Sequence, residues 1–301
     1  MSAYPSPLRL SLPTAGEQAA TSPDRAIESL QEEILTLQDE ISHLRRRDET
    51  LKYHMHRLDE ELRLAARLQR DFLPKKLPSV GPVRFNVLFR PAGYVSGDIY
   101  DVFRLDETHV GFYVADAVGH GIPAALLTMF VKSALVTKEI LPNGYRLLPP
   151  SQTLGQLNQA LVEQGLAYTT FATALYGMID TESLECTFAR GGHPSPILVT
   201  AGGELRTLDA DGGLLGIFPH DTYTDAKVQL SCGDRLFIYS DGIEVCLCDE
   251  GTDPAEWQQR LVEMRSLSTP ELLGELSRGI DSAVGSLMPK DDLTIMVMEI
   301  Q

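Results

Sequence analysis

From residue 27 onward, apolar residues return at alternating spacings of three and four. With Ile27 at heptad position a, the a series runs Ile27, Ile34, Ile41, Asp48, Met55, Leu62, Gln69, and the d series runs Leu30, Leu37, Leu44, Leu51, Leu58, Ala65, Phe72. A repeat held over about six heptads keeps one stripe on one side of a single long helix, which no strand pattern can do. Ile at a with Leu at d in the opening heptads favours a parallel two-stranded coiled coil, in which Glu40 at g reaches Arg45 at e of the other helix. A single amphipathic helix lying on the domain that follows would carry a similar stripe. The pattern weakens at its centre, where Asp48 takes an a position and Arg47 at g faces Lys52 at e. That interruption is read as a device fixing register, with a point where a signal alters register as the other reading.

Pro74 and Pro78 stop the helix, and from Val83 short runs rich in Val, Ile, Phe and Tyr take over. Strands are expected over 83–90, 98–105, 109–116, 171–179, 184–190, 196–200, 226–230, 234–240 and 293–300. Helices are expected over 121–139, 151–165, 254–265 and 269–284, with Pro123 suiting an early turn of the first. This order predicts an α+β fold, an α-β-β-α sandwich of two antiparallel sheets flanked by helices, in preference to a doubly wound parallel sheet. Three segments follow: a disordered tail over 1–24, rich in Pro, Ser, Thr and Ala; a coiled-coil dimerisation and linker helix over 25–73; and the sandwich domain over 78–301.

A net charge of -16 argues against binding the phosphate backbone of nucleic acid or an anionic membrane surface, both of which want clustered Lys and Arg. No apolar run is long enough to span a membrane and no secretory leader is evident, so a cytoplasmic location is expected. Cys186, Cys232, Cys246 and Cys248 include no C-x-x-C pair, and reduced thiols without a catalytic role are expected. The C-L-C pair leaves a weak metal alternative, since an extended segment would point both sulfurs to one face.

Four aspartates stand where an apolar run breaks into glycine or a second carboxylate: Asp98 in V-S-G-D-I-Y-D, Asp116 in G-F-Y-V-A-D-A-V-G-H-G, Asp241 in R-L-F-I-Y-S-D-G and Asp291 in K-D-D-L-T-I. Strand ends on a rigid scaffold can aim side chains at one point. Carboxylates gathered in a low-dielectric setting repel, so such a cluster calls for hard divalent cations, Mg²⁺ or Mn²⁺, and implies metal-dependent chemistry on phosphate. A single Asp before Gly is often only a turn, but a set of them in such contexts is not dismissed that way.

The motifs G-D-I-Y-D-V, V-A-D-A-V-G-H-G-I-P-A-A-L-L, A-R-G-G-H-P-S-P, G-D-R-L-F-I-Y-S-D-G and D-D-L-T-I, in this order, resemble the SpoIIE/RsbU branch of the metal-dependent protein phosphatases, the PPM family. The resemblance runs from about residue 65 to the end, and L-A-A-R-L-Q-R-D-F-L-P is similar to the family's regulatory linker. It implies two metal ions held by aspartates between two sheets, with an activated water attacking the phosphorus of a phosphoserine or phosphothreonine. Carried over by residue, Asp116 bridges the metals and Ala117 lends its backbone carbonyl. Asp98 completes one shell through water, while Asp241 and Asp291 hold the other ion. Asp292 is a further metal candidate, but adjacent strand residues face opposite ways and Asp291 is preferred. The substrate implied by the resemblance is a phosphorylated STAS-type anti-anti-sigma protein; the heptad repeat calls for a second copy of the chain as partner, and an upstream activator acting on the coil is expected beside it.

Ser96 stands where the branch commonly has a second Gly, and A-V replaces V-S after Asp116, but neither change removes a ligand. Asp101 is expected to turn toward solvent or a surrounding layer. His120 and His193 could each donate a proton to a leaving oxygen, yet a turn-stabilising hydrogen bond is the preferred role for both. Gly119, Gly121, Gly191 and Gly192 are expected to serve tight turns near the metals. Two rival readings stand beside this one: a catalytically silent pseudophosphatase acting as a dimeric binding module, and a small-molecule phosphohydrolase on the same fold.

Overall fold

The computed structural model describes residues 23–165, 170–247, 254–284 and 291–301. The tail expected over 1–24 lies outside them but for its last two residues, as does Cys248. The chain divides into two compact units, residues 1–60 and 61–301. Helix α1 (Pro23–Phe72) supplies all the described residues of the first unit and opens the second. Within the first unit the stripe residues Ile27, Leu30, Ile34, Leu37, Ile41 and Leu44 are exposed. Within the second unit the stripe is used in part: Leu62 and Ala65 are half-buried and Gln69 is buried, as is Leu73 just past the helix, while Phe72 is exposed.

The second unit continues as β1 (Val83–Arg90), β2 (Asp98–Arg104), β3 (His109–Ala117), α2 (Ile122–Ala134), β4 (Lys138–Leu141), β5 (Gly144–Leu147), α3 (Pro150–Glu163), β6 (Ala172–Asp180) and β7 (Glu185–Gly191). It ends with β8 (Ile197–Val199), β9 (Leu205–Thr207), β10 (Ala226–Gln229), β11 (Arg235–Tyr239), α4 (Gly242–Leu247), α5 (Pro254–Glu263), α6 (Thr269–Val284) and β12 (Leu293–Ile300). One sheet has the order β1-β12-β11-β8-β9 and the other β10-β7-β6-β3-β2, with antiparallel pairing throughout.

Alternation along the strands builds three apolar layers. Val110, Phe112 and Val114 of β3 meet Leu236 and Ile238 of β11 and Met296 and Met298 of β12 between the sheets. Tyr113, Ala115 and Ala117 face the other way, onto Ala124, Leu127 and Val131 of α2 and Leu154 and Leu157 of α3; Leu73 joins this layer. Phe237, Ile295 and Val297 pack on Trp257 of α5 and Leu272, Leu276 and Ile280 of α6. This is the expected α-β-β-α sandwich.

Three local expectations are corrected. The helix expected over 121–139 ends at Ala134, where Leu135 turns extended at φ -72° and ψ 102° ahead of the β-branched Val136 and Thr137. Residues 138–147 form the β4–β5 hairpin instead, turning at Pro142 and Asn143. The short β9 and α4 were not expected either.

Candidate metal centre

Strand parity decides which carboxylates face each other. Asp98 shares a face of β2 with Val102, and Asp116 shares a face of β3 with Phe112 and Val114, so both look into the space between the sheets. Asp98 lies directly opposite Asp116 in the β2–β3 ladder, and Asp116 lies opposite Thr173 of β6. From the other sheet the same parity, continued past Leu236 and Ile238, points Ser240 inward, and from Met298 and Met296 it points Thr294 inward.

Those two hydroxyls both donate to Asp98 Oδ2, each at 2.6 Å, across the sandwich. Asp98, Ser240 and Thr294 are essentially without solvent contact. Ser240 Oγ also accepts from the Thr294 N–H at 2.9 Å, which fixes the ends of β11 and β12 against each other. Asp241 follows Ser240 at the start of α4, and Asp291 comes just ahead of β12. Gly242 is required there, because a Cβ would collide with the Asp292 carbonyl.

Asp292 is placed differently from its neighbour. Its Oδ1 accepts from the Ala92 N–H at 2.7 Å and its Oδ2 from the Gly97 N–H at 2.6 Å, so both oxygens brace the loop that leads into β2. The Ala117 N–H donates to the Gly97 carbonyl at 2.9 Å, and a Cβ on Gly97 would lie 3.1 Å from the Ala117 carbonyl oxygen. Asp101, on the opposite face of β2 from Asp98, is ion-paired with Lys132 of α2. His120 is exposed in the turn before α2.

His193 is fully buried, its Nδ1 shares a 2.8 Å hydrogen bond with Thr173 Oγ1, and Nε2 lies near the Tyr239 main chain short of hydrogen-bond geometry. Burial, helped by the Arg190 charge, pushes its pKa down to about 3, so it is neutral near pH 7 and ties β6 to the G-G-H-P turn instead of holding a proton to give. Arg190 Nη1 donates to the His193 carbonyl at 2.7 Å, and Nη2 donates to Asp209 at 2.5 Å. A cavity of about 420 Å³ opens here, lined by Asp116, Thr173, Arg190, His193, Tyr239, Asp241 and Glu244.

The carboxylates raise one another's pKa. Burial pushes Asp116 up, and the charges of Asp98, Asp241, Asp291 and Asp292 push it further. Burial also raises Asp98, the Ser240 and Thr294 hydroxyls pull it partly back, and Asp292 and Asp241 add to the rise. Asp241 rises by loss of water at the cavity wall and by the charge of Asp291. Among the described residues, no three His, Cys, Asp or Glu groups converge on one ligand sphere. The donor set is nevertheless all oxygen, and the mutual repulsion is what a hard divalent cation relieves, so the residues fit Mg²⁺ or Mn²⁺.

Sequence reasoning missed Ser240, Thr294, Thr173, Arg190 and Glu244. Parity could have found the first two, since they continue the inward-facing rows of β11 and β12.

A sandwich of two antiparallel sheets between helix layers, with carboxylates at one end of the inter-sheet space, defines a phosphatase domain of the PP2C type. The SiaA-PP2C domain of Pseudomonas aeruginosa has this fold, with a TM-score of 0.69 at 21% identity over 82% of this chain and 98% of that one. RsbX, solved in complex with magnesium, matches with a TM-score of 0.53 at 20% identity over 75% of this chain and 99% of that one. The family model for Stage II sporulation protein E (SpoIIE) matches residues 106–301, and the chain belongs to that family. Phosphoserine phosphatase RsbU of Bacillus subtilis is 29% identical over 254 residues, covering 83% of this chain and 73% of that protein.

Proposed function

We propose that the chain is a Mn²⁺- or Mg²⁺-dependent protein serine/threonine phosphatase acting on a phosphoserine or phosphothreonine signalling protein, a STAS-type anti-anti-sigma factor being the substrate class. The observation that carries this is the facing pair Asp98 and Asp116 on one sheet, with Asp241 and Asp291 brought in at the strand ends of the other. Asp98, Asp116, the Ala117 carbonyl, Asp241 and Asp291 would hold two ions, with Asp292 bracing the loop behind Asp98. When bound, such ions activate water for attack on phosphorus and neutralise the phosphoryl oxygens. The chain's own share is orientation: Ser240 and Thr294 fix Asp98, the β2–β3 ladder fixes Asp116, and the buried His193 fixes the turn that walls the cavity. The phosphoseryl side chain enters that cavity, and the Arg190 brace keeps its wall in place.

The free Cys186, Cys232 and Cys246 suit a reducing cytoplasm. Among the described residues no helix is long and apolar enough to cross a membrane. The exposed Ile and Leu of α1 up to Leu58 support a parallel coiled-coil homodimer, on which an activator protein would act. Phosphate release from a phosphoserine STAS protein with and without Mn²⁺, beside para-nitrophenyl phosphate, tests the activity. Metal-dependent release from the protein is expected; release from the small ester alone would favour a small-molecule phosphohydrolase, and none from either a silent binding module.

A further inference from the structure

We infer that Gln69 is a positioning residue for the metal centre: its side-chain amide, clasped on both main-chain groups of Ser96, holds the loop that delivers Asp98. The inference deepens the phosphatase proposal and rests on it. Gln69 Nε2 donates to the Ser96 carbonyl at 2.7 Å, and the Ser96 N–H donates to Gln69 Oε1 at 2.8 Å. Gln69 is 7% exposed and Ser96 is 0% exposed, so neither main-chain group could turn to water if the amide were removed.

Ser96 and its neighbour Gly97 are hydrogen-bonded to three groups of the site. Its Oγ accepts from the Asp98 N–H at 3.1 Å. The next residue, Gly97, donates to Asp292 Oδ2 and accepts from the Ala117 N–H. Gly97 has little room in which to absorb a shift, since a Cβ there would already crowd the Ala117 and Gly119 carbonyls at 3.1 and 3.2 Å. A displacement of Ser96 therefore passes to Asp98, Ala117 and Asp292 together. Gln69 itself is a neutral amide near the end of α1, and both of its hydrogen bonds named above go to the main chain of Ser96, through which it acts. Heptad spacing assigns Gln69 to the a row of the coil, yet its amide faces the phosphatase domain.

The test titrates Mn²⁺ into the full chain by calorimetry for the wild type, Gln69→Leu, Gln69→Glu and Ile280→Ala, with kcat and KM for para-nitrophenyl phosphate and the melting temperature recorded for each. Gln69→Leu is expected to weaken Mn²⁺ binding about tenfold or more, as loss of a group supporting the ligands does, and to lower kcat with KM held within about twofold. Gln69→Glu keeps the acceptor for the Ser96 N–H and loses the donor, so it should fall between Gln69→Leu and the wild type, and it carries the test if Gln69→Leu does not fold. Ile280→Ala removes a buried side chain in the α6 layer and should lower the melting temperature while leaving Mn²⁺ affinity unchanged. Unchanged affinity in both Gln69 variants overturns the inference, as does an equal loss in Ile280→Ala. A wild type that neither binds Mn²⁺ nor turns over would strike the phosphatase proposal first and this inference with it.

Discussion

The two sheets hold their carboxylates by different means. Asp98 and Asp116 stand within paired strands, opposite each other in register, and Asp98 is almost completely buried with two hydroxyls on one oxygen. Asp241 and Asp291 stand beyond the paired parts of β11 and β12, Asp241 exposed and Asp291 half-buried, where the close approach of Gly242 to the Asp292 carbonyl helps set the chain's path. One half of the site is thus fixed by a ladder of main-chain hydrogen bonds and the other by a turn. A carboxylate built into a ladder has less freedom to adjust to a missing partner than one carried on a turn.

The largest expected effect follows from that difference. Asp116→Asn should lower kcat for a phosphopeptide by about 10³-fold or more, a loss of about 4 kcal/mol in barrier, with the circular dichroism spectrum unchanged. Asp241→Asn should cost about 10- to 100-fold, and raising Mn²⁺ should recover part of it, because the turn can re-aim the remaining oxygens. Phosphate release measured across a Mn²⁺ series distinguishes the two variants. Equal losses with equal recovery would break the comparison.

The same contrast explains what was legible in the sequence. Apolar alternation in β3, β6 and β12 is carried by Val, Ile, Phe and Met that face a core on both sides, so those strands could be located within a residue or two. The β4–β5 hairpin could not, because most of its side chains face solvent, Ile140 among them at 80% exposure, and no burial imposes a period. Among the aspartates, breaks in apolar runs pointed to Asp98, Asp116, Asp241 and Asp291, since a turn after a strand leaves a local mark. Partners contributed by the opposite sheet leave none. The Ser240 and Thr294 hydroxyls lie 142 and 196 residues from Asp98 along the chain, and only the packing of the sheets brings them to it. The Gln69 clasp was hidden for a related reason: the heptad pattern assigns that residue to a coil seam, and nothing local shows that the last turns of α1 belong to the domain core.

An intermediate effect sharpens the account of the ladder half. Ser240→Ala or Thr294→Val removes one of the two donors on Asp98 Oδ2 without touching a carboxylate. Each should weaken Mn²⁺ binding by about tenfold, and the pair should interact non-additively, since both act on one oxygen. Calorimetric titration of the single and double variants measures this. Ser240→Ala should be the more damaging of the two, because its Oγ also accepts the Thr294 N–H and so holds β11 to β12. If neither substitution changes the affinity, Asp98 is held by its strand alone.

The smallest effect is a change in how stability depends on pH. In the metal-free protein, burial and neighbouring carboxylates raise Asp116 to about 9, well above the roughly 4 of an unfolded aspartate. Between those two values the folded state keeps a proton that the unfolded state has lost, so stability falls as pH rises through the window, by at most about 1.4 kcal/mol per pH unit for one proton. Asp98, itself raised by burial, interacts with Asp116, which spreads the proton release and reduces the slope. Metal-free wild type should therefore lose about 2–4 °C more in melting temperature between pH 5 and pH 8 than Asp116→Asn, which has no proton to give up at that position. Saturating Mn²⁺ should reverse the sign, since a cation favours the ionised carboxylates and binds more tightly as pH rises. Parallel melting curves for wild type and Asp116→Asn across this range would mean that the ladder half carries its charges without mutual strain, and that it differs from the turn half in geometry alone.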